Sequence, residues 1–296
     1  MNVMNKIKKT AGLIEKAMNL LFLMCGMLTI LFVLLITVFL VTSGIPAIQK
    51  IGLSDFLFGK SWASTAVPPS YGILPFILTS VYGTCGAILI GVPIGLLCAI
   101  FLAKMSPQGI GSIVRNVVDL LAGIPSVVYG LVGMILIVPS VRELFHLPDG
   151  ANLFSAVLVL AIMILPSVIS VSETAIKAVP KEYEEASLAL GATKTETVFK
   201  VVVPAAKSGI ITAVVLGIGR AIGEAMAVMM VAGNVANMPK LFGSVRFLTT
   251  AVASEMSYSS GLQRQALFSI ALVLFLFIMA INVVLNLIVK GRRQNG

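Results

Sequence analysis

The chain contains 296 residues, of which 58% are hydrophobic and only 11% are charged. Because soluble domains carry about 25% charged residues, this composition excludes a soluble domain and indicates an integral membrane protein. The 21 Lys and Arg residues outnumber the 12 Asp and Glu residues, but no stretch interleaves basic with aromatic residues, so nucleic acid is not an expected partner.

Six apolar runs are long enough to cross a membrane, which takes roughly 20 helical residues for about 30 Å of hydrocarbon. They lie at 18–43, 73–103, 116–138, 151–175, 208–233 and 266–289. The first run is longer than the core of a signal peptide and lacks a cleavage site, so we interpret it as a retained helix. The sequence therefore predicts an all-α integral membrane protein with six transmembrane helices.

The distribution of basic residues predicts the orientation of these spans. With the N-terminus inside, the cytoplasmic segments hold 14 of the 21 Lys and Arg residues, the outer segments hold six, and Arg220 alone lies within a span. Cytoplasmic loops of membrane proteins carry an excess of Lys and Arg. Both termini are therefore expected in the cytoplasm.

The predicted spans divide the chain into five parts. They are a cytoplasmic N-terminal segment (1–17), a first helix (18–43), an outer loop (44–72), a core with the other five helices (73–290) and a cytoplasmic tail (291–296).

Two outer loops carry polar residues. The first, 44–72, contains Trp62 and is expected to cap the bundle. The second, 234–265, is expected to hold a short interfacial helix that meets an external partner. The lone His146 lies in another outer loop without ligand partners, so neither a metal site nor a cofactor is predicted.

A long polar loop, 180–205, separates the fourth and fifth spans, and its first half has the signals of a short helix. Pro180 can begin a helix because its missing N–H is not needed there. Acidic residues follow in the first turns, where the helix dipole favours negative charge. Gly191 can adopt the left-handed conformation that ends a helix. These signals predict a helix of about ten residues.

The second half of this loop has a helix start of its own. Thr193 and Glu196 have the Thr-x-x-Glu spacing of a capping box. A second helix is therefore expected to run from Thr193 toward Pro204 at the membrane. Together the two halves predict a helix-turn-helix in the cytoplasm, with small residues at its tip.

Two charged residues, Arg220 and Glu224, lie near the middle of the fifth predicted span. Each costs roughly 2.5–3.5 kcal/mol at the centre of an isolated transmembrane helix, so each needs a partner or water. At a spacing of four they would share a helix face and could pair. Gly219 and Gly223 beside them would allow a second helix to approach closely.

Two interpretations of this pair stay open. In the functional one, Arg220 lines a translocation path and binds an anion, because a guanidinium offers several donors in a planar fork; Glu224 then holds or releases that arginine. In the structural one, the two residues form a permanent ion pair that fixes the helix.

The polar loop resembles the cytoplasmic "EAA" loop of ABC importer permeases. That family's pattern is Glu-Ala-Ala, three residues, Gly, nine residues, then Ile-x-Leu-Pro, and its anchors match Glu185, Ala186, Gly191 and Pro204. The departures, which keep size or apolarity, are Ser187, Val201 and Val203. The resemblance implies that Glu185, Ala186, Ser187, Gly191 and Pro204 belong to a contact with an ATP-binding subunit.

Three further stretches extend the resemblance over about residues 15–290. They are Ala122–Gly130, Leu190–Thr197 and Gly219–Val228. These stretches resemble the permease subunits of bacterial phosphate ABC importers, and Gly233-Asn234 after the last one is more similar to the PstC type than to its homologue PstA. The resemblance implies the six-helix fold of a type I ABC importer permease in the bacterial inner membrane.

The same resemblance implies the partners. A PstC-like permease pairs with a PstA-like permease, two PstB-like ATPase subunits bind below, and a PstS-like binding protein delivers phosphate from outside. The chain has no Gly-x-x-x-x-Gly-Lys-[Ser/Thr] phosphate loop. It is therefore expected to be a non-catalytic subunit whose energy comes from ATP hydrolysis by its partners.

Other functions remain as alternatives. A permease for another oxyanion, such as molybdate or sulfate, would have the same features, because the residues favour an anion and only the resemblance favours phosphate. An ion-coupled secondary transporter also has broken helices and charges at midplane, although six spans with a cytoplasmic helix-turn-helix argue against it. A purely structural membrane anchor would have no reason to keep Arg220 and Glu224 in a span.

Overall fold

The computed structural model describes residues 2–293, which are predominantly helical with one two-stranded hairpin. The helices are α1 (Asn2–Ile51), α2 (Leu53–Phe58), α3 (Leu74–Ile100), α4 (Gln108–Gly123), α5 (Ser126–Val132), α6 (Val138–Leu144), α7 (Leu153–Lys177), α8 (Lys181–Ala189), α9 (Lys194–Thr197), α10 (Val203–Ala205), α11 (Lys207–Gly223), α12 (Met226–Val231), α13 (Leu248–Glu255) and α14 (Gly261–Arg293). The antiparallel strands are β1 (Trp62–Ala63) and β2 (Ser70–Tyr71). The π-helical turns are Phe101–Met105, Gly133–Ile137 and Val198–Val202. Residues 294–296 of the predicted tail lie outside the described residues.

Five helical stretches among the described residues are long and apolar enough to cross a membrane. They are Glu15–Ile51, Leu74–Met105, Ser126–Leu144, Leu153–Lys177 and Gly261–Val284. A sixth candidate consists of Lys194–Ala205 and Lys207–Gly223, which meet at a 69° bend. The prediction of an all-helical membrane protein is confirmed, but three spans have other bounds than the sequence suggested.

The first predicted span, 18–43, is shorter than the helix that forms. Helix α1 continues through Gly44 and Pro46 to Ile51, because this extension packs on α14. There a Cβ at Gly44 would lie only 3.1 Å from the backbone of Ser269, and the Ser269 hydroxyl donates a 2.6 Å hydrogen bond to the Gly44 carbonyl.

The third predicted span, 116–138, is wrong as one helix. Helix α4 ends at Gly123, and Ile124 has an extended backbone with ψ of 127°. The cause is Pro125, since a proline disfavours the helical conformation of the residue before it. The apolar helix that can cross the membrane starts after this break and covers Ser126–Leu144.

The fifth predicted span, 208–233, is also wrong as one helix. Helix α11 ends at Gly223, and Glu224 has φ −73° and ψ 129°, which is extended backbone. Helix α12 then begins at Met226. The two charged residues of this region therefore lie on either side of a helix end.

Helix α7 is the centre of the bundle, and α3 and α11 pack against it. Its side chains Leu160, Ile164 and Val168 are fully buried. The neighbouring helices approach through glycines, with Gly91 of α3 facing Ile164 and Gly217 of α11 facing Val168. Glycine at these positions lets two helices come close enough for backbone and side chain to touch.

The two regions predicted as outer loops are folded structures that pack together. Region 44–72 contains the end of α1, helix α2 and the β1–β2 hairpin, whose Trp62 and Tyr71 rings pack edge to face with centroids 5.5 Å apart. Region 234–265 holds the short helix α13, but its Leu248 and Ala251 are buried. Helix α13 is thus part of the core at this end rather than an interfacial helix, and contact with an external partner stays a prediction.

We expect Gly91→Val to destabilise the bundle. A Cβ at Gly91 would lie 2.8 Å from the Ile164 side chain and 2.9 Å from the Ala161 carbonyl oxygen. Since that oxygen belongs to the backbone of α7, it cannot move aside, and overpacking of this kind costs roughly 1–3 kcal/mol. Thermal unfolding in detergent, followed by circular dichroism, measures the loss.

The matched control for this substitution is Gly26→Val, which introduces the same side chain at a helical glycine with no atom within 4 Å. Equal midpoints for the two variants would contradict the close packing of α3 on α7.

Candidate functional site

The polar segment 180–205 folds as two short helical arms joined by a tight turn, and we call it the polar hairpin. Its first arm, α8, begins directly after Pro180 and ends at Ala189. Gly191 then has φ of +88°, the left-handed conformation that its position predicted. Glycine adopts this conformation without the steric penalty of a side chain. The direction of the chain thus reverses at a residue suited to it.

A capping box begins the second arm at the predicted residues. The Thr193 N–H donates to the Glu196 carboxylate over 3.1 Å, and the Glu196 N–H donates to the Thr193 hydroxyl over 3.3 Å. The hydrogen bond from the Thr193 backbone, together with Lys200 one turn later, lowers the pKa of Glu196 to about 2. The carboxylate is therefore ionised at neutral pH, and the cap would be lost only as the pH falls from about 4.5 toward 2.

The second arm continues into the bundle without a loop. A π-helical turn, Val198–Val202, and the short α10 with Pro204 carry the chain to Ala206, where it bends by 69° into α11. Between the arms, the hydroxyls of Ser187 and Thr197 lie 2.9 Å apart and share a hydrogen bond. The second arm and α11 are thus consecutive helical segments joined only by the bend at Ala206.

The tip of the polar hairpin exposes its side chains. Glu185, Ala186 and Gly191 are exposed, and the side chain of Leu190 is 91% exposed. An exposed leucine beside small residues and a carboxylate is a surface that another protein can cover. Of the residues that the sequence analysis assigned to an ATPase contact, Glu185 and Ala186 are therefore accessible on α8 and Gly191 in the turn. Pro204 is exposed at the end of the second arm, and Ser187 is partly buried between the arms.

An ion pair attaches the first arm to the end of the second span. The Lys104 ammonium, in the π-helical turn after α3, contacts the Glu184 carboxylate of α8. Both side chains are mostly buried, with 16% and 25% exposure. The hairpin is thus joined to the bundle covalently at both ends, through α7 and α11, and electrostatically through α3.

A second ionic cluster lies at the same end of the bundle. The side chain of Glu173, near the end of α7, is 9% exposed and contacts Arg115 of α4 and Lys177, whose ammonium lies 2.6 Å away. Two cations around one buried carboxylate satisfy it and hold α4 against α7.

Arg220 and Glu224 do not pair, which corrects the expectation from their spacing. The Arg220 guanidinium donates a 3.3 Å hydrogen bond to the Ser167 hydroxyl of α7. The Glu224 carboxylate instead accepts the N–H of Ala227 over 2.9 Å. Since α11 ends at Gly223, the two side chains no longer share a helix face. A structural Arg220–Glu224 pair is thus absent from the described residues.

The face of α11 beside Arg220 is open. Gly219 and Gly223 are exposed, and a Cβ at either position would meet no atom within 4 Å. Both Arg220 and Glu224 are only half-buried. No described part of this chain therefore packs on this face, and the Arg220 guanidinium beside it stays accessible.

The sequence analysis did not identify Lys104, Glu184 or Glu173 as contact residues. Lys104 and Glu184 are 80 positions apart, and Arg115 and Glu173 are 58 positions apart. The available signal was that Lys104 and Glu173 each sit at the edge of an apolar run, where an ion pair between neighbouring helices is a common solution.

Comparisons with known proteins agree with this architecture. Residues 91–294 match the family described as binding-protein-dependent transport system inner membrane component. The chain is 39% identical over 267 residues to the probable ABC transporter permease protein YqgH of Bacillus subtilis, covering 87% of this chain and 86% of the relative. It is 36% identical over 242 residues to the phosphate transport system permease protein PstC of Pasteurella multocida, covering 75% of each.

Two solved structures share the fold. The inward-facing MetNI methionine ABC transporter gives a TM-score of 0.59 at 19% identity, covering 74% of this chain and 95% of the other. A bacterial alginate ABC transporter in complex with a periplasmic protein gives 0.61 at 16% identity, covering 91% and 92%. The bundle and the polar hairpin are therefore those of a membrane permease of an ABC importer, and the chain belongs to the family of binding-protein-dependent transport system inner membrane components.

Proposed function

We propose that this chain is a permease subunit of an ATP-driven phosphate importer, that it forms half of the translocation path, and that ATPase subunits drive it from the cytoplasm. The observation that carries the proposal is the direct continuity of the polar hairpin with α11, the helix that holds Arg220. A force applied to the hairpin tip thus acts on the residue best suited to bind an anion.

The coupling part of the proposal assigns the hairpin tip to an ATPase. Glu185, Ala186, Leu190 and Gly191 form the exposed surface. The excess of Lys and Arg on one side of the predicted spans supports a cytoplasmic position for this surface and for both termini. The chain itself has no phosphate-loop motif, so hydrolysis belongs to two PstB-like partner subunits and this subunit is non-catalytic.

The transport part of the proposal assigns Arg220 to the path. The guanidinium is held by the neutral hydroxyl of Ser167, which orients it without neutralising its charge. A second permease of the PstA type, placed against the open glycine face of α11, would complete the path. Phosphate delivered by an external PstS-like binding protein would then meet an arginine, whose planar donors fit phosphate oxygens.

Phosphate, rather than another anion, is proposed from the relatives. Several of them, such as those of Pasteurella multocida and Haemophilus influenzae, are phosphate transport system permease proteins PstC. A guanidinium alone does not distinguish phosphate from sulfate or molybdate, so selectivity is assigned to the external binding protein.

The first prediction concerns the turn of the hairpin. Gly191→Val should uncouple ATP hydrolysis from uptake, because a left-handed backbone at a non-glycine residue costs roughly 1–2 kcal/mol. That energy reduces the population of the native turn by about tenfold. Uptake per ATP hydrolysed is measured in liposomes that contain the full transporter.

Gly191→Asn is the matched control, because asparagine tolerates the left-handed conformation. No atom lies within 4 Å of a Cβ at Gly191, so the two variants differ in backbone strain rather than in packing. Full coupling in the valine variant would argue against a role for this turn in transmission.

The second prediction concerns the Lys104–Glu184 ion pair. Lys104→Glu and Glu184→Lys should each lower uptake, because each places like charges together in a mostly buried site. The double swap restores the pair and should recover most of the activity; interaction energies between contacting residues are typically about 0.5–3 kcal/mol. Uptake and ATPase activity of the reconstituted complex are compared for the four proteins.

Lys200→Met provides the comparison for this pair, because Lys200 is 74% exposed and its contact with Glu196 is a surface ion pair. Such pairs contribute little, about 0–1 kcal/mol. If the double swap were as impaired as the worse single variant, the attachment through α3 would not transmit motion.

The third prediction concerns Arg220 and tests the transport proposal itself. Arg220→Ala and Arg220→Lys should both abolish phosphate uptake, since alanine removes the charge and lysine lacks the planar fork. Uptake of labelled phosphate is measured in cells that lack the native chain and express each variant at equal level, with excess sulfate or molybdate as competitor.

Arg142→Ala, which removes an exposed arginine of α6, controls for charge loss in general. Normal uptake by both Arg220 variants would reject the path assignment. Inhibition by sulfate or molybdate at lower concentrations than by unlabelled phosphate would assign the importer to that other oxyanion. Dependence on an ion gradient instead of ATP would indicate a secondary transporter.

A further inference from the structure

The break between α11 and α12 has a support from another helix. The Thr249 hydroxyl of α13 donates a 2.7 Å hydrogen bond to the main-chain carbonyl of Glu224. Thr249 is only 9% exposed. In a continuous helix, a backbone carbonyl accepts a hydrogen bond from the N–H of the residue four positions later. At the helix break, the Thr249 hydroxyl donates a hydrogen bond to the Glu224 carbonyl.

Helix α13 is itself fixed at its N-terminal end. The Leu248 N–H donates a 3.0 Å hydrogen bond to the Ser80 hydroxyl of α3. The Phe247 ring packs against Gly83 of the same helix, where any larger residue would collide with it. These contacts hold α13 on α3, one of the two helices that pack on the core helix α7.

The C-terminal end of α13 is fixed by a buried carboxylate. Glu255 is 8% exposed and contacts three donors, each from a different segment. The Trp62 indole N–H lies 3.2 Å away, the Gln263 amide lies 3.0 Å away, and Arg246 is in direct contact. A carboxylate with this many donors is satisfied although it is buried, and it joins β1, α13 and α14 at one point.

Arg246 extends this network back to α12. Its guanidinium donates hydrogen bonds of 2.8 and 3.0 Å to the carbonyl of Asn234, three residues after α12. The segment from Glu224 to Glu255 is therefore held by contacts within itself: Thr249 bonds to Glu224 at the break, and Arg246 bonds to both Asn234 and Glu255. We call this segment the brace.

The brace opposes a competing conformation that the sequence favours. If α11 continued through Glu224 as a helix, Glu224 would lie one turn after Arg220 on the same face, and the two charges would pair. An Arg220 neutralised in this way would no longer attract an anion. Keeping the break open is thus a condition for the charge of Arg220 to remain available.

We infer that Thr249 and Glu255 are positioning residues, which hold the chain break at Glu224 and thereby keep Arg220 free of an ion pair. Thr249 acts on the break directly, and Glu255 acts through the placement of α13. This inference rests on the proposed role of Arg220 in the path.

The test compares Thr249→Val, Thr249→Ser and Glu255→Gln in the complete reconstituted transporter. Valine has the shape of threonine without the hydroxyl, so phosphate uptake per ATP hydrolysed should fall by about five- to tenfold, the range that the loss of one hydrogen bond allows. Serine restores the donor and should recover uptake. Glu255→Gln removes the charge that holds Arg246 and should lower the same ratio, while ATP hydrolysis persists in every variant.

Thr212→Val is the matched control, because the Thr212 hydroxyl bonds only to Ser208 of its own helix, over 3.0 Å. Wild-type ratios in both Thr249→Val and Glu255→Gln would overturn the inference, as would a Thr249→Ser variant as impaired as the valine variant. If the Thr249→Val transporter fails to assemble, the uptake per ATP hydrolysed by Glu255→Gln tests the inference: a lowered ratio supports it and a wild-type ratio overturns it.

Arg220→Ala in the same assay separates this inference from the proposed function. Loss of uptake in Arg220→Ala together with wild-type ratios in both Thr249→Val and Glu255→Gln would reject the brace alone. Normal uptake in Arg220→Ala would reject the path assignment, and the brace with it.

Discussion

The close packing of α3 and α11 on the buried helix α7 is the constraint on which the rest of the structure depends. Glycines at these contacts bring the helices close, so that side chains of α7 contact α3 and α11 directly. Ser167 of α7 contacts Arg220 of α11, and Glu173, less than two turns later, contacts Arg115 and Lys177 at the hairpin end. One central helix thus positions both Arg220 and the base of the polar hairpin.

The polar hairpin is connected to all three helices of the core. It follows α7 in the chain, it is continuous with α11 through the bend at Ala206, and its ion pair with Lys104 joins it to α3. At the other end α11 stops at Gly223, close to Arg220. In the proposed function, these connections are the route by which a movement of the hairpin would reach Arg220.

Local signals in the sequence predicted much of the fold and part of the site. Apolar runs gave the membrane class, and the capping box at Thr193 and the turn at Gly191 formed at the predicted residues, because caps and turns depend on neighbours in the chain. Pro125 was a local signal for the break between α4 and α5, but the apolar residues on both sides of it were interpreted as one span. The end of α11 at Gly223 could not be predicted, since its support comes from Thr249, 25 residues away. Contacts between distant segments leave no periodic pattern.

The failed expectation of an Arg220–Glu224 pair carries physical information. Oppositely charged residues four positions apart pair when they lie on one continuous helix. In this fold the helix ends at Gly223, between the two charged residues, so they do not share a helix face. Keeping a guanidinium unpaired in an apolar span costs roughly 2.5–3.5 kcal/mol if nothing solvates it. A purely architectural arginine would relieve that cost with the carboxylate one turn away. The fold instead separates the two charges, orients the guanidinium with a neutral hydroxyl and leaves a glycine face open beside it, which is the arrangement that the proposed anion path needs.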